Sequence, residues 1–442
     1  MTSLQSGSRA RRLMAQTAGN AGLNGATLAL NFVITLLLSR LLGPEGYGAY
    51  AFAIAWGLLL APFASLGLFP LVVRKLATYR VREDWSRARG LLRRSNQAVL
   101  VASLAVTGTA AAVSIVVDWP KPPLFEPTLV ALAIVPLIAL VLLRQAAMQA
   151  FGAVVLARVP ETLVVPLLMI VLVLLLETTL SGGLSATSAV GAQAAAAACA
   201  ALLGAYLLRR TLPNEVRRAA PLDETRAWLV GALPILVAIG IGALNVQAAT
   251  ILTGSIAGPE EAGIFSVASR IAALLPFLLL AATPSLMPTI AVLHERGQSE
   301  ALQRVVIRGA RLVFLGSLPL AIAAIVFAEP VLKLFGLDFE AGVTALRIMC
   351  LGQLVNVATG FAGVILLMIG ETGQLTWSVA AGTAVNLVLS AALIPAFGAV
   401  GAAVGTAASI ATMNVLMTYL LWRRRRIYSA VLWLRPRRSP SR

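Results

Sequence analysis

The sequence has little charge. Of its 442 residues, 12% are Asp, Glu, Lys or Arg, whereas 59% are hydrophobic, and the mean hydropathy is +0.88. A soluble domain carries about 25% charged and about 45–50% apolar residues. A soluble chain of this length could not bury so many long apolar runs. The composition therefore predicts an all-α polytopic membrane protein.

Reactive side chains are also scarce. The two cysteines, Cys199 and Cys350, lie inside apolar runs, and the one histidine, His294, lies where a run ends. These residues give no disulfide framework and no metal-ligand spacing. The sequence has no glycine-rich phosphate loop followed by Lys-Ser or Lys-Thr, and no plausible Ser, His and Asp set. We therefore expect no metal, no cofactor and no enzyme activity.

Acidic residues are fewer than basic ones, 18 against 35, which gives a formal charge of +17. Such an excess can indicate nucleic-acid binding. Here most Lys and Arg lie in loops between apolar runs on one side, and this is the positive-inside pattern of a membrane protein. We expect no nucleic-acid partner, and we predict that both termini are cytoplasmic.

Apolar runs of about 20 residues, the length that crosses a bilayer, predict about twelve spans in two lobes. An even number per lobe makes the two lobes parallel, and a central cavity is expected between them. The predicted spans are 22–42, 47–73, 96–117, 127–150, 161–180, 188–208, 230–253, 263–292, 309–328, 344–369, 375–393 and 400–422. The predicted organisation is a six-helix lobe (1–208), a cytoplasmic linker (209–226), a second six-helix lobe (227–422) and a basic cytoplasmic tail (423–442). After residue 426 the tail is either a short interfacial helix or a disordered segment.

An internal repeat organises the chain. The turn SRLLGPEGYGAY, residues 39–50, has a second copy, GPEEAGIF, 215 residues after the first at 258–265. The same turn at half-length spacing, each time between apolar runs, indicates two related halves. We predict that the hinge or turn residues are those that permit or fix a tight turn, namely Gly43, Pro44, Gly46, Gly258 and Pro259. Gly43→Val is predicted to lower folding or function more than Gly67→Ala, a change within the second predicted span.

Polar side chains inside spans are the candidate substrate-binding residues. Arg144 and Arg270 lie inside predicted spans, whereas Arg40 and Arg347 lie near outer span ends, where snorkelling to the interface is the alternative. Four uncharged polar residues complete the set: Asn31 and Thr35 in the first span, and Asn245 and Gln247 in the seventh. Each of these four also suits a hydrogen bond between helices.

The carboxylates lie away from the middle of the spans. Glu161 and Glu371 fall near cytoplasmic ends, and Glu177 falls toward the outer end of the fifth span. An exporter that couples cation export to protons or sodium would place a carboxylate in its cavity. A cavity with arginines and no deep carboxylate favours an anion, because guanidinium groups form paired hydrogen bonds with phosphate oxygens.

Three stretches resemble one transporter family: SRLLGPEGYGAYAFA, LGQLVNVATGFAGVILLMIGETGQ and GAVGAAVGTAAS. They are similar to Wzx-type polysaccharide flippases, of the superfamily that includes MATE drug exporters and MurJ lipid II flippases. The resemblance implies a flippase that moves a polyprenyl-diphosphate-linked oligosaccharide from the inner to the outer leaflet by alternating access. It also implies a bacterial cytoplasmic membrane, with polysaccharide polymerase or glycosyltransferase partners. Cationic cavity residues bind the diphosphate in related flippases, and Arg40 lies within the shared motif.

Other functions remain open at this stage. A MATE-type small-molecule exporter shares the architecture, but the sequence lacks the deep carboxylate that would favour it. A membrane-embedded polymerase or glycosyltransferase would require a long outward loop with acidic or histidine residues, and none is present. A non-transporting scaffold is disfavoured by the intact repeat and by the intramembrane arginines.

The distribution of basic residues generates a topology prediction. Reporters fused after residue 442 or within residues 80–94 should read cytoplasmic, and reporters within residues 119–126 or 330–342 should read external. Alkaline phosphatase and green fluorescent protein fusions make the measurement. An external reading at the C-terminus would contradict an even number of spans.

Overall fold

The computed structural model describes residues 2–431, with side chains from residue 22 onward. The described residues form helices and turns, without a β-strand. In chain order the helices are α1 (Thr2–Ala64), α2 (Leu68–Val81), α3 (Trp85–Val117), α4 (Phe125–Leu132), α5 (Ile134–Ala150), α6 (Val154–Val159), α7 (Val165–Thr179), α8 (Ala186–Thr211), α9 (Asn214–Arg218), α10 (Thr225–Ile256), α11 (Pro259–Ala272), α12 (Phe277–Glu295), α13 (Ser299–Val326), α14 (Ala328–Lys333), α15 (Val343–Thr359), α16 (Ala362–Met368) and α17 (Thr372–Arg425). A π-helical turn joins α6 to α7, and a 3-10 turn precedes α15.

Ten helical segments of the described chain are long and apolar enough to cross a membrane. Two of them, Gly22–Ala64 and Thr372–Arg425, are about twice the length of one crossing. Each contains one glycine with non-helical backbone angles, Gly43 (φ 66°, ψ −178°) and Gly398 (φ 51°, ψ −128°), so each supplies two crossings. The described residues therefore carry the predicted twelve crossings, and the all-helical fold class is confirmed.

The helices group into two compact units. The first unit contains the chain up to Ser266 together with Leu334–Asp338, and the second contains Val267–Lys333 and the chain from Phe339 onward. Helix α10 belongs to the first unit because it packs along α1. The predicted lobes 1–208 and 227–422 describe the sequence repeat rather than these contacts, and their boundary stays a prediction.

The two repeated turns contact each other within the first unit. Gly43 and Gly258 have positive φ values of 66° and 97°, which end one helix and allow Pro44 or Pro259 to begin the next. Gly46 is helical and uses no such freedom. The positive φ values show why each repeat has a glycine immediately before its proline.

The helices that begin at these prolines cross with their backbones in contact. A Cβ atom at Gly48 would lie 2.6 Å from the carbonyl carbon of Pro259 and 2.8 Å from the nitrogen of Gly263. The reciprocal contact is equivalent, because a Cβ atom at Gly263 would lie 3.0 Å from the carbonyl carbon of Pro44 and 3.1 Å from the nitrogen of Gly48. Neither position has room for a side chain. Gly48 and Gly263 are therefore the glycines that set the distance between the two repeats.

Two predicted spans are interrupted. The second span breaks after α1, where Leu66 and Gly67 both have positive φ values, and the chain resumes in α2. Gly67→Ala, predicted to be the milder change, meets a constraint of its own: the φ of Gly67 is 63°, and a Cβ atom there would lie 2.6 Å from the nitrogen of Leu236. The eighth span breaks at residues 273–276, between α11 and α12. These local turns are stabilised by backbone hydrogen bonds that hydropathy does not report, such as Leu68 N to Ser65 O at 3.0 Å.

The predicted linker 209–226 is held against the start of α3. The Leu222 nitrogen donates to the Ser86 carbonyl at 3.1 Å, and a Cβ atom at Gly90 would lie 2.8 Å from the Leu222 carbonyl carbon. The buried Trp228 indole donates to the Tyr79 hydroxyl at 3.2 Å and joins the start of α10 to α2. These contacts fix the linker to the arginine-rich end of the first unit, the end at which α3 carries Arg87, Arg89, Arg93 and Arg94.

The segment after α17 packs against the second unit. Ile427 and Ser429 are buried, the Tyr428 nitrogen donates to Gln303 Oε1 at 2.8 Å, and the Val431 nitrogen donates to the Ala358 carbonyl at 2.9 Å. Residues 427–431 therefore form an ordered non-helical strap, and neither predicted alternative, interfacial helix or disorder, holds for them. The strap is ordered because its backbone groups find partners on α13 and α15. The rest of the predicted tail, 432–442, lies outside the described residues.

The backbone crossing generates a stability prediction. Gly48→Ala should lower the midpoint of thermal unfolding, because the added methyl group meets backbone atoms that cannot move aside, and overpacking costs about 1–3 kcal/mol. The control is Gly108→Ala in α3, where a Cβ atom meets nothing within 4 Å. It should leave the midpoint unchanged or raise it. Melting of both purified variants in detergent makes the comparison, and equal midpoints would refute the packing argument.

Candidate functional site

The predicted polar stripe on α1 is mostly closed to a ligand. The Thr35 hydroxyl donates to the Asn31 carbonyl at 2.8 Å, the Ser39 hydroxyl donates to the Leu36 carbonyl at 3.1 Å, and both side chains are buried. Ser and Thr on helices often make such bonds to the preceding turn. Asn31 is exposed and donates to the Thr27 carbonyl at 2.9 Å. Of the three, only Asn31 could reach a substrate in this conformation.

Arg40 donates to a backbone carbonyl. It is exposed at the end of the first half of α1, and its Nε lies 2.6 Å from the Leu334 carbonyl oxygen. Phe335, fully buried, packs edge-to-face on Phe32 with ring centroids 5.4 Å apart. Residues 334–338 therefore cap this part of α1 with one charged and one aromatic contact. Arg40 has a structural role here, beside the substrate role predicted for it.

Arg347 and Arg270 lie in the second unit, and both are exposed. Arg347 on α15 donates from Nε to the Ile325 carbonyl at 3.2 Å, in the last turn of α13. The last four carbonyls of a helix lack intrahelical donors, so this contact satisfies an otherwise unpaired acceptor. Arg270 lies in the last turn of α11, immediately before the break that ends this helix.

Asn245 and Gln247 lie half-buried on α10 in the first unit. They occupy the same helix as Thr253 and Gly254, which are buried. Their depth on α10 permits either a substrate contact or a hydrogen bond between helices, so their substrate role remains a prediction.

Arg144 belongs to a different environment, a cavity of about 610 Å³ at the arginine-rich end of the first unit. Its Nη1 donates to the Ala201 carbonyl of α8. Four more arginines line the same cavity: Arg89, Arg93, Arg209 and Arg217. Alternation of the crossings places Arg40 and Arg144 at opposite membrane faces, so the structure does not bring them together.

Two of the three span carboxylates lie at helix ends. Glu371, at the start of α17, accepts from Arg425 Nη2 at 2.6 Å. Glu177, in the last turn of α7, accepts from the Leu184 nitrogen at 3.0 Å. Glu161 lies in the π-helical turn between α6 and α7. The described residues contain no group of three or more His, Cys, Asp and Glu that could hold a metal ion.

Sequence reasoning missed the amides buried in the second unit. Asn386 and Asn414 are 0% and 5% exposed, and they bond Ser390 (3.0 Å) and Thr359 (3.2 Å). Ser390 lies four residues after Asn386, which is one helical turn, and this spacing was a usable signal. It also missed Gly48 and Gly263 as site residues, although both stand at equivalent positions of the repeat.

A family model described as polysaccharide biosynthesis protein matches residues 13–294. The chain belongs to the polysaccharide biosynthesis protein family. A second family model, MatE, matches residues 234–392 of this family member. The predicted resemblance to the flippases of the superfamily with MATE and MurJ proteins is confirmed.

Relatives and solved structures agree with this family. A probable flippase, AglR, of Haloferax volcanii is 24% identical over 170 residues, a match that spans 38% of this chain and 36% of that protein. An inward-facing MATE transporter has a TM-score of 0.75 at 18% identity, covering 91% of this chain and 94% of its own. The lipid II flippase MurJ in an inward closed conformation has a TM-score of 0.70 at 12% identity, covering 90% and 86%. These structures show a shared fold, and the chain is a multi-pass membrane protein with that fold.

The position of Glu371 generates a prediction about coupling. Glu371→Gln and Arg425→Gln should each lower stability by about 0.2–1 kcal/mol, as loss of an exposed ion pair does, with transport per molecule unchanged. The loss of stability in the double variant should be no larger than the sum of the losses in the two single variants. Thermal melting and reconstituted transport are the two measurements. Loss of transport in Glu371→Gln, with transport retained in Arg425→Gln, would instead identify Glu371 as a coupling carboxylate.

Proposed function

We propose that this family member moves a polyprenyl-diphosphate-linked oligosaccharide from the inner to the outer leaflet of a bacterial cytoplasmic membrane by alternating access. The observation that carries the proposal is the sign of the charge. Arg144 and Arg270 lie inside predicted spans, whereas Glu371 and Glu177 are engaged at helix ends and Glu161 lies in the π-helical turn between α6 and α7. A diphosphate is the part of such a substrate that guanidinium groups recognise. The family description supports the glycan part of the proposal.

The contacts divide the candidate residues by role. Arg40 and Arg347 each give one donor to a helix-end carbonyl, and Thr35 is buried. Arg270 and Asn31 are exposed and remain the strongest candidates to meet the diphosphate and the glycan. Asn245 and Gln247 are candidates for further hydrogen bonds to sugar hydroxyls.

The membrane potential would assist this direction of transport. Both termini are proposed to be cytoplasmic, because the arginine-rich ends of the helices would then face the inner leaflet. An anion that moves outward from a negative interior gains about 2.3 kcal/mol per charge per 100 mV. Glycosyltransferases that build the substrate and a polymerase that consumes it are the proposed partners.

A MATE-type exporter of small molecules is the second candidate, favoured by the MatE match over residues 234–392. The two candidates differ in the charge that the cavity must accept. A cationic drug requires an acidic cavity residue, whereas a diphosphate requires a basic one.

The test changes the charge at Arg270. Arg270→Gln should lower flipping of a fluorescent polyprenyl-diphosphate-linked sugar by about tenfold or more, because each charge-assisted hydrogen bond contributes about 1.5–3 kcal/mol. Arg270→Lys keeps the charge without the planar fork and should retain partial activity. Flipping is measured in proteoliposomes and divided by the amount of inserted protein. Arg308→Gln, an exposed arginine of α13, is the charge-matched control.

Two outcomes would contradict the proposal. Parental flipping by Arg270→Gln per inserted molecule would exclude Arg270 as a substrate residue. Export of a cationic dye by the parental protein, with no flipping of the lipid-linked sugar, would assign the protein to the second candidate function.

A further inference from the structure

All the charged side chains that line the cavity around Arg144 are positive. It lies between α3, α5, α8 and the linker, and its side chains include five arginines, one asparagine and one glutamine, without Asp or Glu. Like charges gathered around one cavity repel each other. The arrangement therefore creates a strong preference for an anion.

Among the described residues, no carboxylate pairs with these five arginines, whereas two neighbouring arginines of α3 do have carboxylate partners. Arg87 pairs with Asp84 and Glu224 at 2.8 Å, and Arg94 pairs with Asp223 at 2.5 Å. Hydrogen bonds from Thr225 and the ion pair with Arg94 hold the pKa of Asp223 below its ordinary value. Within the part of the chain that the structure describes, no cavity arginine forms an ion pair; Arg89 and Arg144 bond only the carbonyls of Ala219 and Ala201. The linker thus neutralises the arginines outside the cavity and leaves those inside it uncompensated.

The walls of the cavity are apolar. Leu92, Leu143, Ala147, Leu208 and Leu212 line it beside the arginines. Arg144 lies about two helical turns before the end of α5, so the cavity reaches from the helix ends into the depth of the crossings. A free phosphate ion would use the arginines and leave the leucines exposed, whereas a phospholipid would use both. Basic pockets between helices at this level of a membrane suit acidic lipid headgroups.

We propose that this cavity binds the phosphate group of an acidic phospholipid. The phosphate lies among Arg93, Arg144 and Arg209, and Asn96 donates to the headgroup. The first acyl carbons contact Leu143 and Leu208. Because Leu212, Val216 and Arg217 come from the linker, the bound lipid also holds the linker against α3 and α8. This site is separate from the Arg270 site and does not depend on the transported substrate.

The test compares two pairs of neighbouring arginines. The cavity pair is Arg93→Gln with Arg209→Gln. The control pair is Arg94→Gln with Arg210→Gln, which removes the same charge from the same two helices at adjacent positions. Arg94 pairs with Asp223, and the Arg210 guanidinium lies over the Tyr206 ring at 5.1 Å. Neither control arginine lines the cavity.

Native mass spectrometry of detergent-purified protein measures retained phosphatidylglycerol, with phosphatidylcholine and inorganic pyrophosphate as separate arms. We expect the fraction of molecules that retain one phosphatidylglycerol to be at least tenfold higher for the parental protein and the control pair than for the cavity pair. Retention of phosphatidylcholine should not differ in this way. Binding of pyrophosphate without retention of phosphatidylglycerol would support the phosphate site but assign it to a soluble ligand. Equal retention by the two pairs, or binding of neither probe, would overturn the proposal.

A second measurement covers the case in which the cavity pair does not fold. A photo-crosslinkable phosphatidylglycerol is added to the parental protein, and the labelled peptides are sequenced. Labels within α3, α5 and α8 that acidic lipid competes away support the site. Labels spread over all apolar helix faces refute it.

Discussion

The contact between the backbones at Gly48 and Gly263 fixes the distance between the two repeated helices of the first unit. It requires two glycines on two helices, because a methyl group on either side would overlap the other helix. It also requires that both helices begin at corresponding positions, and the glycines before Pro44 and Pro259 provide this through their positive φ values. The same glycine–proline turn therefore occurs in both copies of the repeat, and it places the two helices where their backbones can meet.

The arginines of this protein have different partners at different places in the fold. At the arginine-rich end, the linker carries the acids that pair with Arg87 and Arg94, and its backbone lies against Gly90. Near the other helix ends, Arg40 and Arg347 bond carbonyls that a helix terminus leaves without donors. A guanidinium in a low-dielectric region needs a hydrogen-bonded partner, which is a carboxylate, a backbone carbonyl or a bound anion.

The sequence was sufficient for the number of crossings, the repeat and the glycines before Pro44 and Pro259. Those features are encoded locally, in hydropathy over about 20 residues and in turn residues at fixed spacing. The constraint on Gly67 was missed because it depends on a partner distant in sequence. Leu236, 169 residues away, is what makes Gly67 irreplaceable. The ordered strap at 427–431 likewise depends on Gln303 and Ala358, which no local pattern indicates.

The contacts of the arginines distinguish positions that hydropathy alone leaves alike. Arg144 and Arg40 both interrupt apolar runs and each bonds a backbone carbonyl, of Ala201 and Leu334 respectively, yet only Arg144 lines a cavity together with four other arginines. What separates them is the charge of the neighbouring side chains, because one backbone carbonyl meets only one of the five N–H donors of a guanidinium and does not balance its charge. Where a carboxylate lies nearby, as for Arg87 and Arg94, the charge is balanced within the chain. Where other arginines line the same cavity, a bound anion balances the charge, and the apolar walls around Arg144 favour a lipid as its source.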